Sequence, residues 1–118
     1  MTLAIELVNA HLPPVTASMI GGVPSTVAAA GTTQGTAALI GSSLVTVTGA
    51  SGTNGVILPA GMPGDTVTIY SSAATNALLV YPPVGGAINA AATNAAYSLT
   101  AQTAHQFKCF SAAIWLAM

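Results

Sequence analysis

The sequence predicts an all-β protein: a single β-sandwich or jelly-roll-like domain over residues 32–118, preceded by an extended arm over residues 1–31. Three observations carry this. Short runs of alternating apolar and polar residues recur along the chain, as in Thr66–Tyr70. Turn-forming Gly, Pro and Asn clusters separate them about every ten residues, the spacing of sandwiches and small barrels. The chain has 118 residues, which suits one compact domain.

Leu3, Ile5 and Leu7 alternate with Thr2, Ala4 and Glu6, a strand period of two. A helix over the same stretch would end at Pro13 and Pro14. Val15 to Gly31 contains Gly21, Gly22 and Pro24 and has no clean period. The stretch reads as an arm lying along another subunit or across its own domain, with Leu3, Ile5 and Leu7 as its anchors. An edge strand plus loop describes it equally well.

Strands are expected at Thr36–Ile40, Ser43–Thr48, Val56–Leu58, Thr66–Tyr70 and Ala77–Tyr81. The last is apolar enough to be buried on both faces. A short piece at Ile88 is followed by strands at Tyr97–Thr100, His105–Phe110 and Ala113–Leu116. Asn54-Gly55 suits a tight turn with positive φ, and Pro63-Gly64 the centre of a type II turn. Thr93 and Asn94 favour a loop over a helical turn. No repeat of fixed period between 20 and 50 residues is evident, which argues against a solenoid.

Charge is the most unusual property. Only Glu6, Asp65 and Lys108 are charged, 3% of the chain, where ordinary domains hold about a quarter. Hydrophobic residues reach 53% but aromatics only 5%. A membrane helix needs about 20 mostly apolar residues, and the apolar runs are interrupted every few positions. The apparent strands are too short for a membrane barrel. Positive mean hydropathy and a net charge of −1 argue against disorder. A near-neutral surface favours association, so the chain is expected to be covered by neighbouring subunits.

Chemistry finds few residues to use, and no enzyme is expected. The two carboxylates are Glu6, in the arm, and Asp65, whose place beside Pro63-Gly64 reads as turn chemistry. His105 and Cys109 would meet on a helix. On a strand they share a face about 13 Å apart, which leaves Cys109 as a small buried hydrophobe. Glu6, His11, Asp65, His105 and Cys109 lack metal-ligand spacing, so no metal or cofactor is expected. The glycine-rich 49–55 loop lacks the Lys-Ser/Thr of a phosphate loop. One lysine and no arginine argue against nucleic acid. Tyr70, Tyr81, Tyr97 and Trp115 could form a sugar platform, although strand aromatics usually serve core or interface. The single cysteine cannot form an internal disulfide. A polar start without a basic n-region shows no secretory signal, so folding in a reducing cytoplasm is expected.

Three segments carry a resemblance: residues 29–40 (AAGTTQGTAALI), residues 51–89 around Leu58-Pro59, Pro63-Gly64-Asp65, Val80-Tyr81-Pro82-Pro83 and Gly85-Gly86, and the closing 112–118 (AAIWLAM). Together, over roughly residues 28–118, they resemble small β-structural virion proteins of tailed bacteriophages. The resemblance implies a capsid decoration (cement) protein, homotrimeric and bound to the major capsid protein, made in the host cytoplasm and carried in the virion. Its alternative is a tail or fibre module that binds a host-surface glycan. It rests on turn chemistry and not on active-site residues.

Overall fold

The computed structural model describes residues 24–111 and 113–118, all strand, turn and loop apart from one 3₁₀ turn at Gln34–Thr36. The proposed anchors Leu3, Ile5 and Leu7 lie outside the described residues. Ten strands follow in order: β1 (Pro24–Ala28), β2 (Ala38–Leu39), β3 (Leu44–Thr48), β4 (Gly55–Ile57), β5 (Thr66–Ser71), β6 (Leu78–Tyr81), β7 (Ala87–Ile88), β8 (Tyr97–Leu99), β9 (Ala104–Ser111) and β10 (Ile114–Ala117). They form a six-stranded sheet in the order β1-β3-β5-β9-β10-β7 and a four-stranded sheet in the order β2-β4-β6-β8.

From β1 to β6 the chain alternates between the sheets, giving each one strand per circuit. β1, β3 and β5 stack in parallel, as do β2, β4 and β6. That is a β-solenoid of three coils. Pro24 stands beside Leu44 and Leu44 beside Thr68, so the coils advance by 20 and then 24 positions along the larger sheet. The last strands reverse direction: β8 runs antiparallel to β6, and β9 to both β5 and β10.

This corrects two expectations. A β-sandwich or jelly roll of the expected kind is built from antiparallel strands, whereas the first six strands here pair in parallel. The solenoid set aside for want of a fixed period is present, because stacking needs matched strand phase and not equal coil length. Residues 24–31, assigned to the arm, join the framework: all five residues of β1 pair with β3, and Ala30 forms a bridge with Gly55.

One core lies between the sheets. Val45, Val47, Val67, Ile69, Phe107, Cys109 and Trp115 fill it from the larger sheet and Val56, Leu78, Val80 and Leu99 from the smaller, with Ile40, Leu58 and Ile88. Their strands alternate because successive side chains point to opposite faces. Tyr97 joins the layers, its ring edge-on to Phe107 at 5.5 Å and to His105 at 5.8 Å, a geometry aromatic quadrupoles favour.

The nine strands expected from Thr36 onward agree with β2 to β10 to within a residue or two, β1 falls where no strand was expected, and the turns divide. Met62 to Asp65 closes as expected, with Asp65 N–H donating to the Met62 carbonyl at 2.9 Å and Gly64 at φ +96°. Asn54-Gly55 is different. Positive φ falls on Gly49 and Gly52, while the Asn54 side chain ties the loop, accepting from Ser51 N–H and donating to the Gly49 carbonyl, both at 2.8 Å. Gly55 is a buried strand residue pressed against the backbone of Leu79. Burial of β6 on both faces is only partial. Leu78 and Val80 face the core, Tyr81 is buried on the opposite phase, and Leu79 between them is half-buried.

Candidate interface face

Threonine, large apolar side chains and almost no charge cover the outward face of the six-stranded sheet. Alternation sets its membership: where Val45, Val47, Val67 and Ile69 point inward, Leu44, Thr46, Thr48, Thr66, Thr68 and Tyr70 point outward. Register then orders them. Thr26, Thr46, Tyr70 and Ala104 form one cross-strand row, and Pro24, Leu44, Thr68 and Gln106 the next. Thr66, Lys108 and Leu116 form a third. Phe110 continues the outward phase of β9, and Ile114 that of β10.

The exposure of this face is substantial. Leu44 is 37% exposed, Tyr70 39%, Ile114 37%, Phe110 54% and Met118 56%. A bulge sets the Phe110 end, since the β9–β10 register shifts between Ile114 and Trp115. An extra residue on one strand bends it and re-aims its side chains. Lys108 supplies the only charge on these outward strand positions, and Asp65 lies in the turn that enters β5.

None of these apolar side chains except Tyr70 was singled out from sequence. The signal was available: Leu44, Phe110 and Leu116 occupy the polar phase of their strands, where solvent alone gives them no reason to be large and apolar.

The residues considered for chemistry fall elsewhere. His105, Phe107 and Cys109 share the inward face of β9, as the strand period requires, with Phe107 buried between the other two. Cys109 is buried, its thiol donating to the Ser111 carbonyl at 2.9 Å. Burial pushes its ionisation upward, the nearby Asp65 carboxylate adds to this, and the Ser111 hydrogen bond opposes it. A thiol held in its neutral form is a poor nucleophile. Asp65 accepts from Met62 N–H at 2.9 Å within its own turn. No group of three or more His, Cys, Asp or Glu converges among the described residues, and no helix among them is long and apolar enough to cross a membrane.

The four aromatics considered as a sugar platform are separated. Trp115 is 0% exposed and Tyr81 is buried. Tyr97 packs on Phe107, and Tyr70 alone reaches the outward face.

In comparisons with known proteins, no family model matches the chain, and no curated protein or solved structure is significantly similar to it.

Proposed function

We propose that this chain is a non-enzymatic, self-associating structural protein whose six-stranded sheet is its contact face. Its most specific form is a capsid decoration protein that forms trimers, bridges major capsid subunits and reinforces the shell. One observation carries the proposal: five large apolar residues, Leu44, Tyr70, Phe110, Ile114 and Met118, stand exposed on one sheet face. They stand among threonines and a single lysine, and a charge-poor face that exposes several large apolar side chains is the kind of surface other proteins cover. Aromatics and methionine with little charge are typical of the centre of an interface. The virion assignment adds the resemblance of residues 28–118 to phage structural proteins.

Repetition makes such a contact effective. A standard interface buries roughly 1,600 Å² in total, and an array of linked contacts binds more tightly than any single one. The tail-module alternative has less support, because two of the four aromatics considered for a sugar platform, Tyr81 and Trp115, are buried.

Light scattering on the purified full chain tests the association. A trimer or another closed oligomer is expected, and Phe110→Lys with Ile114→Lys should convert it to monomer with the fold intact. A parent protein that stays monomeric at high concentration refutes the proposal. Copy number in a purified particle separates the two virion placements: hundreds for decoration, a few to tens for a tail part.

A further inference from the structure

Every asparagine of this chain but one precedes alanine: Asn9, Asn76, Asn89 and Asn94 are followed by Ala10, Ala77, Ala90 and Ala95. Asn54 alone precedes glycine. Such a pair is the most prone to spontaneous ring closure, because glycine puts no Cβ beside the attacking backbone nitrogen. Packing imposes it here. A Cβ on Gly55 would overlap the Leu79 carbonyl oxygen on the neighbouring strand, so no bulkier residue can stand there to protect Asn54.

The fold instead holds the pair out of reacting geometry. Gly55 is buried, and its N–H donates to the Ala30 carbonyl at 3.2 Å. The Asn54 amide is turned back on residues that precede it. Its Oδ1 accepts from Ser51 N–H and its Nδ2 donates to the Gly49 carbonyl, both at 2.8 Å, with the Ala29 carbonyl at 3.4 Å from the same nitrogen. The Asn54 backbone carbonyl accepts from Leu79 N–H at 3.3 Å. Ring closure needs the Gly55 nitrogen free of its proton and the Asn54 side chain swung onto it. Both require the loop and the Ala30 bridge to open.

We propose that Asn54-Gly55 is a modification site locked by the fold, and that its conversion to isoaspartate or aspartate unfastens the seam where the three coils meet. The Gly55 nitrogen attacks Asn54 Cγ, the Cγ–Nδ2 bond breaks, and ammonia leaves with the proton that the nitrogen gives up. Water then opens the succinimide at either ring carbonyl, and no other reactant is needed. Isoaspartate routes the chain through Cγ, which adds one carbon before Gly55 and turns the carbonyl used by Leu79 into a free carboxylate. Gly55 can then no longer meet Ala30 and Leu79 in the observed register. Aspartate keeps the chain path but loses the Nδ2 donations and sets a carboxylate against the Gly49 and Ala29 carbonyls. Either product adds a negative charge to a chain of formal net charge −1. The site precedes a strand of the smaller sheet, so this inference is independent of the proposed contact face.

The full chain, held at mildly alkaline pH in buffer and in unfolding urea, tests both parts. Peptide mapping by mass spectrometry follows the exchange of amide for carboxyl. In urea, Asn54 should convert ahead of the other asparagines. In buffer its conversion should be slower by about tenfold or more, because it proceeds only while the loop stands open. Asn54→Asp, the aspartate product made directly, should melt roughly 4 °C below the parent. Chain converted in urea and returned to buffer should melt lower still, against a parent passed briefly through urea. Conversion slowed by folding less than about tenfold, or another asparagine converting first in urea, would overturn the locked site. Converted chain or Asn54→Asp melting with the parent would overturn its role in the seam.

Discussion

Replacing Gly55 with alanine should damage the fold far more than its single added carbon suggests. Gly55 opens β4 and pairs with Leu79 of β6, and its N–H and carbonyl also bond Ala30. A Cβ built there overlaps the Leu79 carbonyl oxygen and stands only 2.9 Å from both the Leu79 carbonyl carbon and its Cβ. Backbone cannot swing aside as a long side chain would, so β4 and β6 must part where they stack. Overpacking a tight site costs about 1–3 kcal/mol, and a clash with backbone belongs at the upper end. At roughly 4 °C per kcal/mol for a chain of this size, about 3 kcal/mol corresponds to a drop near 12 °C. Gly41 is the control: nothing lies within 4 Å of a Cβ there, so Gly41→Ala should be neutral or up to about 1 kcal/mol stabilising. Trp115, the sole tryptophan, is fully buried, and its emission reports urea unfolding directly. A Gly55→Ala protein within about 0.5 kcal/mol of its parent, below the overpacking range, would refute the close-approach reasoning.

Phe107→Ala removes the ring that Tyr97 meets across the two layers and should cost about 3–5 kcal/mol, measured by the same urea titration. Asp65→Ala removes the acceptor of Met62 N–H and should cost about 0.5–1.5 kcal/mol, readable as a small fall in melting temperature. Cys109 should resist a thiol reagent until the protein unfolds. Because its ionisation is raised in the folded state, both states keep the proton below the ordinary value of 9.0. Above it the unfolded chain ionises first, so stability should fall as pH climbs past that value, and Cys109→Ala should remove the decline. Self-association should change by less than about twofold between roughly 0.05 and 0.5 M salt, since exposed charges are what salt screens. A steep salt dependence in light scattering would contradict a contact built on apolar burial.

Individual strands were legible because their cause is local. Thr66–Tyr70 and His105–Phe110 alternate in a period of two, and that period survives whatever the strand later pairs with. The Pro63-Gly64 turn was legible for the same reason: proline presets one φ and glycine accepts the next. Asn54-Gly55 shows the limit. The same dipeptide suits a hairpin turn, but here Gly55 answers to Leu79, 24 positions away, and its lack of a Cβ serves close approach.

For the candidate face, composition announced that some surface must be covered, and only register showed which. Leu44 and Phe110 lie far apart in sequence and look like isolated apolar residues. They share a face because β3, β5 and β9 are neighbours in one sheet.

By itself, then, the sequence determined strand positions, turn chemistry and the scarcity of charge, all properties of short windows or of composition. The tertiary structure decided that successive strands stack in parallel coils and not as a jelly roll. It also decided which outward side chains form a common surface. The first depends on pairing between segments 18 to 24 positions apart, as from Ala38 to Val56 and from Val56 to Val80, and the second also on β5 meeting β9, where Tyr70 pairs with Ala104 and Thr66 with Lys108, 34 and 42 positions away. Alternation within a strand assigns each residue to an inner or outer face, but it is the same for a parallel and an antiparallel neighbour. The choice between them is made where side chains from several coils must fill one core together.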